Sequence, residues 1–410
     1  MTLPLKPEIL APAGNFEKLK TAFLFGADAV YIGNSIFGLR KYADNFSFSE
    51  LEQALLYAKN IKKRVYLVLN AFAQEDDIES IQQFIKKLTL LEKEKKLKAD
   101  AFIISDLGVM HIVKQLSTVP IHVSTQASTC NAHACKFYQT IGAKRIVLAR
   151  ECTLSEIKQI QENFSGELEI FIHGAICASY SGRCVISNYT SGRDSNRGGC
   201  IQSCRHHYQV STEKEQTEKS YKANIMNAKD LWSIRYLKDI MKLGISSLKI
   251  EGRMKSNFYL ANSVATYRKA LDEIEKTNTL KYPLDYETQL AKVSNRDFSD
   301  SSLSADIDDN SINRNFNGYQ KTHVFAGIIR ALVKNESIVI ESKQAIQNSH
   351  TLYVHPQNKQ ANQLRITGPF YSLNNEEITK ISANRCFKIA WQKDFDTLNK
   401  LDILSLKNEA

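Results

Sequence analysis

No apolar segment of the 410-residue chain approaches the roughly 20 residues that a membrane-spanning helix needs. The stretch from Met1 to Leu10 has no basic stretch followed by an apolar run that ends in small residues, which is the pattern of a secretory leader. We therefore expect a soluble, cytoplasmic protein without a membrane partner. Because thiols stay reduced in the cytoplasm, the eight cysteines favour metal binding over disulfides.

The chain also lacks two sequence motifs that are common in hydrolases. It contains neither a His-Glu-x-x-His zinc motif nor a Gly-x-Ser-x-Gly nucleophile turn. Three histidines, His173, His206 and His207, lie near cysteines in the sequence, and a thiol peptidase needs such a neighbour. A thiolate that is bound to a metal cannot serve as the nucleophile, so the sequence argues against peptidase chemistry.

Acidic residues are outnumbered by basic ones, 44 against 54, which gives a formal net charge of +10. Such an excess suits a polyanionic partner, because lysines and arginines that neutralise phosphates release counterions. A solvated basic surface explains the same net charge equally well. Charge therefore supports a nucleic-acid partner only together with other features.

From the start of the chain to about residue 275, apolar runs alternate with polar loops and amphipathic helical patterns. Parallel strands need crossover connections, usually helices, so this order predicts an α/β fold, a (β/α)8 TIM-like barrel over residues 1-275. A doubly wound open sheet is the alternative, although no glycine-rich dinucleotide fingerprint follows the first run. The eight predicted strands are Glu8 to Ala11, Ala27 to Ile32, Arg64 to Leu69, Ala101 to Ser105, Ile121 to Ser124, Arg145 to Ala149, Leu168 to His173 and Ser247 to Ile250.

The remaining sequence changes character twice. Residues 276-320 are polar and crowded with Asn, Asp and Ser, which predicts a linker or insert. Over residues 321-410, short apolar runs follow one another without helical patterns, which favours a small C-terminal all-β barrel domain. Its basic residues would grip a polyanion or form a solvated surface: Lys321, Arg330, Lys334, Lys343, Lys359 and Arg365.

In barrels of this type the active site lies at the carboxyl ends of the strands, and polar residues follow most of the predicted strands. Each of them has a structural alternative: Asn131 could cap a helix, and Glu251 could pair with Arg253. Together they predict one polar pocket. We predict catalytic roles for Glu151, His173, Glu251 and Arg253, and substrate binding by Arg40, Asn70, Gln126, Asn131 and Arg150.

The loop after the seventh strand, residues 174-206, contains four of the cysteines: Cys177, Cys184, Cys200 and Cys204. Four thiolates suit either an iron–sulfur cluster or tetrahedral zinc. Structural zinc sites usually draw their ligands from two tight Cys pairs, whereas here only the second pair is tight, so the spacing favours a cluster over zinc or unligated thiols. We expect the other cysteines, Cys130, Cys135, Cys152 and Cys386, to be small buried hydrophobic residues.

The seventh strand and the start of this loop contain Glu169-Ile-Phe-Ile-His-Gly-Ala-Ile-Cys177, followed by Ala-Ser-Tyr-Ser-Gly-Arg-Cys184-Val-Ile-Ser187. This stretch resembles the signature of the collagenase-like peptidase family U32. Further blocks that look like the family are Glu8-Ile-Leu-Ala-Pro-Ala-Gly14, Gly26-Ala-Asp-Ala-Val-Tyr-Ile-Gly33, Ser124-Thr-Gln126 and Leu248-Lys-Ile-Glu-Gly-Arg-Met-Lys-Ser256. The resemblance covers the whole predicted barrel.

The resemblance implies several functions. Bacterial members of the family hydroxylate the wobble uridine of tRNA or a cytidine of large-subunit rRNA, others assist ubiquinone synthesis, and the family name implies collagen cleavage. In such relatives the matching cysteines hold a 4Fe-4S cluster, and the tRNA enzymes depend on prephenate. The resemblance therefore implies an iron–sulfur enzyme that forms 5-hydroxyuridine at the wobble position of tRNA, with a small carboxylated metabolite as a further partner. Peptidase activity and rRNA cytidine hydroxylation remain the alternatives.

Overall fold

The computed structural model describes residues 6–34, 44–212, 219–305, 307–357 and 364–408. Its first part contains twelve strands: β1 Glu8–Pro12, β2 Ala29–Gly33, β3 Arg64–Leu69, β4 Ala101–Ile104, β5 Ile121–Val123, β6 Ala143–Val147, β7 Glu167–Ala175, β8 Tyr208–Thr212, β9 Lys219–Ala223, β10 Asp230–Trp232, β11 Ser247–Ile250 and β12 Phe298–Ser299. The helices are α1 Phe16–Leu24, α2 Phe48–Asn60, α3 Glu75–Lys95, α4 Leu107–Leu116, α5 Ala132–Thr140, α6 Leu154–Asn163, α7 Ile186–Ser191, α8 Leu237–Lys242, α9 Asn257–Thr277 and α10 Pro283–Leu290.

Eight of these strands form a closed parallel barrel. Strands β1 to β7 pair in chain order, and β11 pairs in parallel with both β7 and β1, which closes the ring. The (β/α)8 expectation is therefore confirmed, and the open-sheet alternative is wrong because β11 leaves no free edge between β1 and β7. The carboxyl ends of all eight strands meet at one mouth, where sites of such barrels lie.

Local sequence signals set the helices that leave this mouth. Thr153 begins α6 with a reciprocal capping box to Glu156, shortly after Arg150 and Glu151. The side chain of Asn131 accepts a hydrogen bond from the Ala134 amide and so caps α5. Each cap fixes the loop in front of its helix, and both loops approach the mouth.

The barrel strands contribute a buried ion network as well as a small buried apolar cluster. Lys249 donates a 2.9 Å hydrogen bond to Glu169, and Arg145 Nη1 lies 3.4 Å from the same carboxylate. Arg145 also contacts Glu8, whose carboxylate accepts from the Tyr66 hydroxyl. All these side chains are buried, and burial opposes the ionisation of Glu169, yet Lys249 and then Arg145 outweigh it and hold the pKa of Glu169 at about 2.

Residues 276–320 contain helix α10 and strand β12, which pairs with β10. Strand β10 in turn pairs antiparallel with the end of β7. This polar segment thus extends the barrel sheet at its mouth. Within the described ranges, no helix is both long and apolar enough to span a membrane.

The C-terminal part is a curled antiparallel half-barrel, which confirms the expected all-β module. Its strands are β13 His323–Val333, β14 Ser337–Ser342, β15 Ile346–Gln347, β16 Leu352–His355, β17 Arg365–Ile366, β18 Phe370–Tyr371, β19 Glu377–Ile378, β20 Lys380–Ile381, β21 Cys386–Ala390 and β22 Ile403–Lys407. The half-barrel has a core of its own and contacts α9, where the rings of Phe258 and His355 lie 4.9 Å apart. Arg330 bridges to Glu17 of the first helix at 2.6 Å.

Candidate functional site

A cavity of about 130 Å³ lies at the mouth of the barrel, between the strand ends and the cysteine-containing loop. Nine of the residues predicted from the sequence line it: Asn70, Gln126, Arg150, Glu251, Arg253, Cys177, Cys184, Cys200 and Cys204. Glu151, His173 and Asn131 lie elsewhere, and Arg40 is outside the described residues. Most of the predicted site residues therefore converge on one pocket at the strand ends.

Arg253 follows β11 and is 4% exposed. Its Nη2 donates a 2.6 Å hydrogen bond to the Asn45 side-chain oxygen. A Cβ at Gly33 would lie only 2.4 Å from Nη2, so the missing side chain at the end of β2 makes room for the guanidinium. Arg253 therefore has a fixed place in the cavity wall.

Arg150 follows β6 and lies against the face of Phe171, with Cζ 4.0 Å from the ring centre. Its Nε is buried and has no hydrogen-bond partner among the described residues. A buried donor of this kind is costly unless a ligand or water accepts from it. The two arginines give the cavity the charge and the donor geometry that bind a carboxylate or a phosphate.

Two amides add polar groups to the same wall. The side-chain oxygens of Asn70 and Gln126 are buried and lack a donor within the described part of the chain. Asn70 donates a long, 3.4 Å hydrogen bond to Ser124, and the Ser195 hydroxyl in the same lining also lacks a partner there. The cavity thus offers both donors and acceptors to a polar ligand.

The floor of the cavity contains Tyr31, Lys249 and Glu251. The Tyr31 hydroxyl shares its proton between the Ile250 carbonyl at 3.0 Å and a Glu251 carboxylate oxygen at 3.2 Å. Burial, and then the charge of Glu251, raises the pKa of Tyr31 well above its ordinary value, so the hydroxyl remains a donor. Lys249 connects this floor to the ion network through Glu169.

Two of the residues predicted to be catalytic face away from the cavity. The carboxylate of Glu151 accepts hydrogen bonds from the amide and the hydroxyl of Ser181, at 2.6 and 2.5 Å. Glu151 therefore anchors the cysteine-containing loop. His173 is 1% exposed and packs against Tyr259 and Tyr267, and burial lowers its pKa to about 4, so this histidine is neutral at pH 7.

The four thiols of the loop, Cys177, Cys184, Cys200 and Cys204, line the same cavity and are all partly exposed. The amide of Ile186 donates to Cys184 Sγ at 3.4 Å. Burial, together with nearby Cys177, raises the pKa of Cys204.

Over the described ranges, no three His, Cys, Asp or Glu side chains come close enough to hold one metal ion. Each cysteine of a four-iron cluster binds a different iron, so its sulfurs need not converge on a point. A set of four soft sulfur donors around one cavity fits such a cluster.

The other cysteines only partly follow the expectation of buried hydrophobic residues. Cys135 and Cys152 are buried, but Cys130 is half-buried and Cys386 is exposed, so the expectation is wrong for these two. Cys386 begins β21, where side chains alternate between the core and the solvent, and its neighbour Phe387 takes the buried place.

The fold and the cavity define a TIM-like barrel protein with a four-thiol loop over the carboxyl ends of its strands. The model of Peptidase family U32 matches residues 14–313, and the chain belongs to that family.

Three similar proteins carry different names. The tRNA hydroxylation protein P1 of Bacillus subtilis is 41% identical over 273 residues, which cover 65% of this chain and 63% of that protein. A 23S rRNA 5-hydroxycytidine synthase of Escherichia coli is 35% identical over 267 residues, covering 65% of this chain and 39% of that protein. A protein of Porphyromonas gingivalis named Collagenase is 31% identical over 307 residues, covering 72% of both chains. The match to the first of these relatives thus spans less than two thirds of its length.

Sequence reasoning missed Tyr31, Ser181 and Lys249. A usable signal existed for Lys249, because a lysine inside a short apolar strand is rarely buried without a partner. The strand that carries Glu169 offers the same signal. Ser181 gave no comparable sign, since its importance depends on the distant Glu151.

Proposed function

We propose that this protein is a cytoplasmic iron–sulfur enzyme that hydroxylates RNA, forming 5-hydroxyuridine at the wobble position of tRNA in a prephenate-dependent reaction. The observation that supports the proposal most is the composition of one cavity, where four thiols and two arginines line the same space. Relatives of this chain are named for tRNA hydroxylation and for rRNA 5-hydroxycytidine synthesis. Hydroxylation of RNA is common to both names.

Cys177, Cys184, Cys200 and Cys204 would hold a 4Fe-4S cluster, which when bound supplies one-electron redox chemistry at the cavity. The chain's own residues bind and orient the reactants. Arg150 and Arg253 bind the carboxylates of a metabolite such as prephenate by donating charge-assisted hydrogen bonds. Tyr31 contacts Glu251 through its hydroxyl and helps to hold that carboxylate in the cavity floor.

The outer face of the cysteine-containing loop suits a single-stranded RNA loop. Tyr189 is 88% exposed and Tyr180 is 54% exposed, so both rings are available for stacking with bases. Arg183, His206 and His207 are exposed on the same segment. Bases of an anticodon loop are already outside a helix, which lowers the cost of bringing one to the cavity.

The basic residues of the half-barrel make a smaller contribution to this proposal. Arg330 is paired with Glu17 and Glu341, and Lys343 is also paired with Glu341. Lys334 lies 3.8 Å from Asp396, and Lys359 is outside the described residues. Ion pairs leave these cations less available for phosphates, so we assign the main RNA contact to the loop.

Metal analysis tests the proposed cluster. Protein purified without oxygen should contain about four irons and four sulfides per chain, as a 4Fe-4S cluster bound by four cysteines requires. Cys177→Ala should lose most of this iron, whereas Cys386→Ala, which removes an exposed thiol of the half-barrel, should retain it. Stoichiometric zinc without iron in the wild-type protein would contradict the cluster.

Binding of tRNA tests the proposed substrate. Affinity should fall steeply as salt is added, because phosphate contacts release counterions. Tyr189→Ala should weaken binding by about 1–3 kcal/mol, the usual value of one base stack, while Tyr282→Ala, an exposed tyrosine that precedes α10, should not. Equal binding at low and high salt would contradict RNA recognition.

Two alternative functions correspond to the names of relatives. The match to the rRNA enzyme favours a cytidine of large-subunit rRNA as the second candidate substrate. The match to Collagenase would favour peptide cleavage. Cleavage of gelatin by cluster-free protein, with no effect of the chain on RNA nucleosides, would support that peptidase alternative.

A further inference from the structure

Two cysteines outside the four-thiol loop lie together at the barrel mouth. Cys130 follows the turn after β5, and Cys152 follows β6, next to Glu151. The Thr129 carbonyl accepts a 2.9 Å hydrogen bond from the Ala149 amide, which joins the two segments, and the Cys152 amide turns back toward the Ala149 carbonyl at 3.4 Å. The interaction of the two side chains is the largest influence on the pKa of each thiol.

The surroundings of the two sulfurs differ in a way that suits exchange chemistry. Cys130 is half-buried, with Sγ 3.1 Å from the Tyr180 hydroxyl and 3.3 Å from the Ser128 carbonyl. Cys152 is 3% exposed. A reagent from solution can therefore reach Cys130 first, and Cys152 stands behind it as the second thiol.

Electrostatics support the same order. The hydrogen bond from Cys152, together with that from Tyr180, lowers the pKa of Cys130 to about 7 against the opposing effect of burial. The pKa of Cys152 is raised, by the contact with Cys130 and then by burial. Thiolate is the form that attacks disulfides, so Cys130 is the attacking residue of the two.

We propose that Cys130 and Cys152 form a reversible disulfide bond with each other. The oxidant is a low-molecular-weight disulfide such as oxidised glutathione. The Cys130 thiolate attacks one sulfur of the oxidant, which releases one glutathione thiolate and leaves a mixed disulfide on Cys130. Cys152 then loses its proton to water and attacks Cys130 Sγ, which releases the second glutathione thiolate. Two protein thiols are oxidised, and one disulfide of the reagent is reduced to two thiols.

The new bond would cross-link two segments that carry cavity residues. Gln126 lies before Cys130, and Arg150 lies before Cys152. The same bond consumes the thiol that contacts Tyr180 of the cysteine-containing loop. The cross-link thus connects the redox state of the surroundings with the groups around the cavity, and it requires neither the proposed cluster nor RNA.

Peptide mapping in glutathione buffers tests the inference. Anaerobically purified full-length protein is equilibrated at several ratios of reduced to oxidised glutathione, alkylated, digested with trypsin and analysed by mass spectrometry. Cys130 and Cys135 share the tryptic peptide 115–136, and Cys152 lies in 151–158. We expect the peptide linked between Cys130 and Cys152 to rise with oxidised glutathione and to disappear on return to reduced buffer.

Three variants assign the bond, and iron is measured in the same samples. Cys135→Ser and Cys386→Ser should keep the linked peptide, whereas Cys152→Ser should lose it and accumulate glutathione on Cys130. The link should form while the iron content is unchanged. The inference is overturned if Cys130 stays alkylatable in the most oxidising buffer, if the link moves to Cys135, or if it appears only after iron has been lost.

Discussion

The guanidinium of Arg253 occupies the space that a side chain at position 33 would fill. A Cβ on Gly33 would lie 2.4 Å from Nη2 and 2.6 Å from Nη1 of Arg253. Strand β2 and strand β11 are the two neighbours of β1, so this contact passes over the end of one strand. A glycine in one strand thereby sets the position of a charged group that follows another.

We predict that Gly33→Ala displaces the guanidinium of Arg253 and lowers RNA modification. Misplacement of a binding group by about 1 Å can cost on the order of a hundredfold in rate, and the alanine forces a shift of that size. Nucleosides of cells that express the variant measure the loss. Gly108→Ala, in helix α4, is the control and should behave like the wild type; full modification by Gly33→Ala would remove Arg253 from the proposed site.

Lys249→Met should destabilise the protein by about 3–5 kcal/mol, because it leaves Glu169 buried without its 2.9 Å partner. A second change, Glu169→Gln, should recover part of this loss, since it removes a buried charge that has lost its nearest partner and keeps only Arg145 at 3.4 Å. Chemical denaturation gives both values. Lys158→Met, which breaks an exposed pair with Glu162, should cost less than about 0.5 kcal/mol. Equal losses for the two lysines would contradict the role of the buried network.

Glu151→Ala should release the cysteine-containing loop, because it removes both acceptors of Ser181. We expect faster hydrogen exchange over residues 177–184 and a smaller effect elsewhere. Glu162→Ala, an exposed carboxylate on the helix that follows, serves as the control. Unchanged exchange in the loop would show that Glu151 does not anchor it.

Because of His173, the free energy of unfolding should decrease as the pH is lowered from about 6.5 to about 4. Burial lowers the pKa of His173 to about 4, below the ordinary value of 6.5, so in this window the unfolded chain binds a proton that the folded chain does not. The contribution is present above pH 6.5 and is lost as the pH falls. His173→Asn should flatten the slope by up to about 1.4 kcal/mol per pH unit. An identical slope for the variant and the wild type would contradict this assignment.

The barrel could be predicted because its strands are short apolar runs separated by helical patterns. The predicted and observed bounds agree for Arg64–Leu69 and for Ser247–Ile250. Most of the cavity followed from the rule that strand ends converge. The position of His173 did not follow from this rule. The pairing of β7 with β11 shifts register after Lys249, and the end of β7 pairs with β10. No local pattern in the sequence predicts that change of partner.

The expectation that Glu151 lies in the cavity did not hold for a different reason. It directly follows Arg150, and successive side chains of a loop can point in different directions. Arg150 lies on Phe171, whereas Glu151 contacts Ser181 of the cysteine-containing loop. A single sequence gives no measure of such long-range partners, so burial and contact had to come from the structure.

The most direct test of the account is mass spectrometry of tRNA nucleosides from a strain that lacks this gene. Loss of 5-hydroxyuridine-type nucleosides at the wobble position is expected, with recovery by the wild-type gene and not by a copy that carries Arg150→Ala and Arg253→Ala. Wild-type levels of these nucleosides in the deletion strain would contradict tRNA hydroxylation by this protein.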